Sequence, residues 1–182
     1  MADIMGLPLT TARLTIRRLV ESDWDFFADL HADAQVMEHV GETLDETAAK
    51  QLFEQRLLPW QPKENSWLSL VIQSNDNSEI IGFIGLKTQN IATGIVEVGF
   101  ILDSAHSGQG YGSEALGRLI KYAFYNLEFH KITATCSIHN VASQKVLGKN
   151  GFVKEGILRH NTLVDDHYVD DCIYGLLIHD LT

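Results

Sequence analysis

A chain of 182 residues, 45% apolar and 21% charged, has the make-up of a single globular domain spanning 1–182 that can bury its own core without disulfide or metal staples. Its formal net charge of −10 argues against a nucleic-acid partner, because such affinity rests on Lys and Arg neutralising phosphates. No apolar run nears the ~20 residues of a membrane helix, and the opening MADIMGLPLTTARL lacks a basic stretch followed by an apolar one. These features lead to the expectation of a soluble, cytoplasmic protein.

RLTIRRL (13–19) alternates apolar and polar residues and predicts a first strand. SDWDFFADLH then places Trp24, Phe27 and Leu30 at helical spacing. In TLDETAAKQLFEQRLLPW, Thr43 and Glu46 have the spacing of a capping box, and the helix must stop before Pro59. The period then changes to two. WLSLVIQ and EIIGFIGL predict strands joined by the turn-forming SNDNS, and GIVEVGFIL predicts a third strand ending at Leu102. A helix follows from Tyr111 to Leu127, then the strand KITATCSI and a short helix in NVASQKVLGKNG, with Gly151 as its left-handed cap. FVKEGILRHNTLV and HYVDDCIYGLLI are two last strands, flanking a turn at Asp165 and Asp166. The order β-α-α-β-β-β-α-β-α-β-β predicts a mixed α/β sheet, not a regular doubly wound one.

Cys136 and Cys172 form no CxxC pair and are expected as reduced strand thiols. The histidines show no HxxxH or HExxH, and His160, His167, Asp165 and Asp166 surround one apparent turn, so no metal is expected.

SGQGYG, from Ser107 to Gly112, lies between a strand and an amphipathic helix. Such a turn offers backbone N–H groups at the positive end of a helix dipole, which suits a phosphate. A phosphate-binding loop of the Gly-Lys-Ser/Thr kind is excluded, because Ser113 and Glu114 follow Gly112. A dinucleotide turn needs a third glycine where Ser113 stands and a carboxylate ending the next strand, where CSIHN has none. A NAD-dependent oxidoreductase is therefore a remote alternative.

The same stretch resembles the acyl-CoA loop of the GCN5-related N-acetyltransferases (GNAT), with Gly110 and Gly112 at the loop's two small positions and Ser107 departing from its Gln/Arg. NVASQKVLGKNGF is similar to a second family segment through Asn140, Ser143, Gly151 and Phe152. The ending HYVDDCIYGLLI, with Asp170 and Tyr174, resembles the branch that acetylates ribosomal-protein N-termini. The resemblance implies a GNAT-like fold, a twisted and mostly antiparallel sheet of six or seven strands with about four helices. It implies acetyl-CoA as cosubstrate, no metal, and direct attack by a primary amine in a ternary complex. The preferred acceptor is a protein N-terminal α-amine of the ribosomal-protein type. A polyamine or an amine antibiotic is the alternative, as is, in another class, an acyl-CoA-binding module without turnover. Both a monomer and a homodimer fit.

In that frame Phe100, Ile101 and Leu102 are implied to contact the pantetheine, Ser107, Gly108, Gln109, Gly110, Tyr111 and Gly112 to cradle the pyrophosphate, and Asn140 to bind the pantetheine or order the loop. Asn140 is equally suited to capping a helix. Glu97, a carboxylate in an apolar strand, is the first candidate for the base, though a solvated strand residue alternates in the same way. Many relatives place a tyrosine seven residues after the helix-opening Asn; here that position is Leu147, which leaves Ser143 as candidate donor to the departing thiolate and as cosubstrate contact. A serine in the first turn of a helix also bonds locally. Lys145 and Lys149 share a helix face and suit either CoA phosphates or water. Trp60 and Trp67 fit equally as acceptor-pocket lining or as core.

Overall fold

The computed structural model describes residues 6–61, 63, 65–164 and 166–181; the expected turn residue Asp165 lies outside them. One eight-stranded sheet runs in the order β1-β2-β3-β4-β5-β6-β8-β7. Its strands are β1 (Leu9–Thr10), β2 (Leu14–Arg18), β3 (Trp67–Ser74), β4 (Ile80–Asn90), β5 (Ile95–Leu102), β6 (Lys131–Ser137), β7 (Val153–Val164) and β8 (His167–Leu177). The helices are α1 (Trp24–Ala32), α2 (Ala34–Met37), α3 (Glu46–Leu57), α4 (Tyr111–Tyr125) and α5 (Val141–Lys149). The two-residue β1 takes the strand count beyond six or seven, and the single-turn α2 takes the helices beyond four. Both are too short to leave a periodic signal.

All pairings are antiparallel except β5 with β6, which are parallel because α4 connects them as a crossover. That pairing covers only Ile95–Lys131, Val96–Ile132 and Glu97–Thr133. Beyond it β5 continues to Leu102 and β6 to Ser137 without pairing to each other, so the sheet opens into a gap.

The two faces are covered differently. On one, α4 buries Leu116, Leu119, Ile120, Tyr122 and Ala123 against Leu70, Leu86, Val96 and Ile132. On the other, α1 and α3 pack Phe27, Leu30 and Phe53 onto Val71 and Phe83. The start of α1 is tied to β2 by the Arg17 guanidinium, which donates to both oxygens of buried Asp23 at 2.8 and 2.9 Å. The N-cap of α3 is Asp45, whose carboxylate accepts from Ala48 N at 2.8 Å. This corrects the expected Thr43–Glu46 box: a carboxylate next to the helix start replaces the more distant hydroxyl. The helix ends at Leu57, ahead of Pro59, and Gly151 takes φ +84° after α5, both as expected. Cys136 and Cys172 are free thiols placed opposite each other in register across β6 and β8.

Candidate functional site

The gap between β5 and β6 opens into a cavity of about 380 Å³. Val98 to Ile101 form one wall and Ala134 to Ser137 the other, with Asn140, Ser143 and Leu147 of α5 at one end. Phe27 and His31 of α1, Leu52 and Arg56 of α3, and Trp67 close the opposite end, and Thr162, Val164, Val169 and Asp171 of the β7–β8 hairpin complete the rim.

Two glycines shape the floor. Gly85 and Gly99 are register partners on β4 and β5, and the Trp67 indole lies across them. A Cβ at Gly99 would come 3.1 Å from Trp67 Cη2, and one at Gly85 would come 3.5 Å from Trp67 Cε3. Only glycine lets the ring lie this close to the strands. The Arg56 guanidinium stacks on the same ring at 4.1 Å from its centre. Burial pushes the Arg56 pKa down to about 10. His31 stacks on Phe27 with ring centres 4.0 Å apart, and its Nδ1 lies 2.8 Å from the Phe27 carbonyl. A carbonyl only accepts, so Nδ1 carries the hydrogen and Nε2 the lone pair. Burial, and then the charge of Arg56, hold the His31 pKa below its ordinary value despite that hydrogen bond.

At the α5 end, Asn140 Oδ1 accepts from Ser143 N at 3.0 Å and so caps the helix while lining the cavity. The Tyr174 hydroxyl donates to Gln144 Oε1 at 3.2 Å, and Gln144 Nε2 donates to the Ile138 carbonyl at 2.8 Å, which locks α5 to β6 and β8. Asp171 is buried, 4% exposed, directly opposite Ser137 in register. Its Oδ2 accepts from Asn161 Nδ2 at 2.8 Å and from Thr162 Oγ1 at 2.6 Å, which orients the carboxylate. Cys136 is a poor nucleophile: burial, with Cys172 and Asp171 adding, pushes its thiol up to about 11.

The glycine loop follows the end of β5. Gly108 and Gly110 take φ +75° and +83°, and Gly110 is the N-cap of the 15-residue α4 with no side-chain cap, leaving first-turn N–H groups open. Arg13 holds the loop from β2's approach: Nη1 donates to the Gln109 carbonyl at 3.1 Å and the guanidinium lies 4.4 Å over Tyr111. Arg13 also pairs with Glu114 at 2.6 Å. Burial raises the Glu114 carboxyl, but hydrogen bonds from Thr11 and Arg13 and the charge of Arg13 outweigh it, and the net pKa is lowered. These loop conformations and the open strand edge beside Phe100–Leu102 are what an acyl-CoA needs from a protein: donors for a pyrophosphate and a free edge for an amide-bearing arm.

The model of a family described as an acetyltransferase (GNAT) domain matches residues 13–153. The chain belongs to the GNAT acetyltransferases. It is 30% identical over 172 residues to an uncharacterized N-acetyltransferase, p20, of Bacillus licheniformis, covering 93% of this chain and 95% of that protein. It is 33% identical over 100 residues to the ribosomal-protein-serine acetyltransferase of Escherichia coli, covering 55% of this chain and 56% of the other. Among solved structures, spermidine N-acetyltransferase from Vibrio cholerae in complex with CoA and spermine superposes with a TM-score of 0.82 at 22% identity, covering 94% and 99% of the two chains. The chain is thus an acetyl-CoA-dependent N-acetyltransferase with relatives in the ribosomal-protein branch, and the oxidoreductase alternative falls. Among the described residues no helix is long and apolar enough to cross a membrane.

Within this GNAT domain the cavity gathers Phe100, Ile101, Asn140 and Ser143. Leu102 is not in the lining and packs, like Phe100, against the core on the α4 side, where a Cβ on Gly112 would be 3.4 Å from its Cδ1. Ser107 to Gly110 are exposed and Tyr111 half-buried, with Arg13 across its ring. Glu97 stands at the last β5–β6 pair, outside the cavity lining, with Gln89 Nε2 at 3.4 Å from its carboxylate. Trp67 lines the cavity, whereas Trp60 packs against the main core. Lys145 and Lys149 are exposed. Among the described residues, four titratable cavity groups escape the sequence reading: Asp171, Arg56, His31 and His39. His31 and Arg56 each follow an apolar lining residue, Phe27 and Leu52, at i+4, and that spacing was the available signal.

Proposed function

We propose that this enzyme acetylates a protein N-terminal α-amine, with Asp171 taking the ammonium proton and Ser143 protonating the departing sulfur. The reading rests on one observation: both groups line the same cavity where β5 and β6 part. Acetyl-CoA supplies the acetyl thioester. An α-amine has a pKa near 8 and is mostly protonated at neutral pH, so the site must remove a proton before nitrogen can attack. Asp171 is the carboxylate among the described lining residues and is held in place by Asn161 and Thr162. Glu97, outside the lining, would have to act through water. As the N–C bond forms and the C–S bond breaks, the Ser143 hydroxyl gives its proton to sulfur and is reprotonated, through water, by the proton that the nitrogen loses on becoming an amide, a task that Leu147 has no group to perform. Phe100 and Ile101 offer strand-edge backbone to the pantetheine, Ser107 to Gly112 offer N–H groups to the pyrophosphate, and Asn140 steadies α5 while reaching the cavity.

The name of the Escherichia coli relative favours a protein N-terminus, and that of the Vibrio cholerae structure a polyamine. Calorimetric titration with acetyl-CoA, with NAD as control, tests the cosubstrate site, and a screen of N-terminal peptides and amines by thiol release and mass spectrometry tests the acceptor. Saturable acetyl-CoA binding, no NAD binding and an acetylated peptide α-amine are expected. A folded sample that binds no acetyl-CoA overturns the reading.

A further inference from the structure

The proton transfers of the proposed reaction use the β6–β8 side of the cavity and assign no task to the cation on the other side. Arg56, in the last turn of α3, lines the cavity and lies over Trp67. Arg13 and Arg17 are each paired with a carboxylate, at 2.6 Å from Glu114 and 2.8 Å from Asp23. Arg56 has no such partner: among the described residues no carboxylate lies within 4.0 Å of it. The lining residues around the cavity include Leu52 on its own helix, Phe27 and His31 on α1, Phe83 on β4 and His39, none of them a carboxylate. Its pKa, though lowered, stays far above neutral pH, so the guanidinium is charged. His31, with its pKa lowered and Nδ1–H engaged by the Phe27 carbonyl, adds no second charge at neutral pH.

A half-buried cation without a counter-ion is costly unless something that binds there brings the opposite charge. The Trp67 face holds the planar fork in a fixed orientation suited to a carboxylate. Among the described residues the lining offers one carboxylate, Asp171, and one guanidinium, Arg56, on opposite sides of the gap.

We infer that Arg56 is a specificity-determining residue that receives a carboxylate carried by the acceptor itself. The acceptor class is then a primary amine bearing a carboxylate, either a free amino acid or a peptide N-terminus with an acidic first residue. This inference rests on the transferase reading and narrows it. A polyamine is disfavoured, because it brings only ammonium groups: one can approach Asp171, and the remainder meet a guanidinium in a low-dielectric wall.

The test uses matched acceptors differing only in the carboxylate: β-alanine against β-alaninamide, and the peptide amides Glu-Ala-Ala against Gln-Ala-Ala, with spermidine alongside. Rates are read by thiol release and products by mass spectrometry. The wild-type enzyme is expected to favour the carboxylate member of at least one pair by about tenfold or more in kcat/KM. Whichever pair shows the preference identifies the source as a free amino acid or an N-terminus. Arg56→Gln is expected to collapse that ratio toward one, mainly through KM, while Arg56→Lys keeps part of it. Acetyl-CoA titration of both variants reports whether they remain folded. The inference is overturned if wild-type enzyme uses the amides or spermidine equally well, a result that needs no variant, or if Arg56→Gln keeps the ratio. If no amine is acetylated by protein that binds acetyl-CoA, the transferase reading itself has failed, and this inference falls with it.

Discussion

The two faces of the sheet are built to different ends. Beneath α4 the packing is continuous: Leu116, Leu119 and Tyr122 are fully buried, and the apolar stripe runs the length of a 15-residue helix. Beneath α1 and α3 the packing is a smaller aromatic knot, Phe27 with Phe53 and Phe83 at 5.1 and 5.2 Å between ring centres, which stops short of the gap. The cavity occupies what that knot leaves uncovered. One face is therefore the more fully packed, and the other leaves open a cavity that Arg56, His31 and Asp171 line.

That division is broken most directly by truncating one side chain on each face. Leu119→Ala, on the filled face, is expected to cost about 2–5 kcal/mol in urea or thermal unfolding. Leu52→Ala, half-buried at the cavity, should cost clearly less. Equal losses would mean that the thinner face carries as much of the fold as the other. Next in size is Asp171→Asn, expected to lower kcat about a hundredfold, or about 2.7 kcal/mol, with acetyl-CoA binding retained. An unchanged kcat would return the proton to another acceptor, Glu97 through water being the first to try. Ser143→Ala is expected to lower kcat about tenfold, a smaller effect because water can also protonate a thiolate, with little change in acetyl-CoA affinity. Loss of affinity without loss of kcat would make Ser143 a binding group only.

The same contrast explains what was legible in the sequence. The filled face announces itself, because burial under a long helix forces a 3.6-residue period from Leu116 to Phe124 and a two-residue period in β3 to β6. The loop glycines are legible because positive φ at Gly108 and Gly110 is a local demand. The charged cavity groups are not. Arg56 on α3 and Asp171 on β8 lie far apart in sequence and meet only through sheet order, so neither helix nor hairpin marks them locally. Glu97 drew attention as a carboxylate in an apolar strand. Its position at the last β5 residue paired with β6 depends on where the two strands part, which no single strand encodes.

The smallest expected effect concerns His31 and pH. Its folded pKa lies below the ordinary value, first because burial disfavours the cation and then because Arg56 repels it. The unfolded chain, with a histidine pKa near 6.5, therefore binds a proton more readily than the fold does. Stability is full above that value, falls as pH drops below it, and levels off once the folded state also protonates. The Arg13–Glu114 lock has the opposite chemistry and a different window. Its carboxyl pKa is lowered, so its contribution is present above the unfolded carboxylate pKa of about 4.3 and is lost only in more acid solution. Urea midpoints at pH 7.5 and 5.5 thus separate histidine titration from that of the carboxylate, and a His31 variant assigns it. The difference between them is expected to shrink in His31→Gln, whose side chain still offers an N–H toward the Phe27 carbonyl but takes up no proton. If the difference persists, another of the chain's histidines carries it, and the α1–α3 end of the cavity is more open to water than its packing on Phe27 and Phe83 indicates.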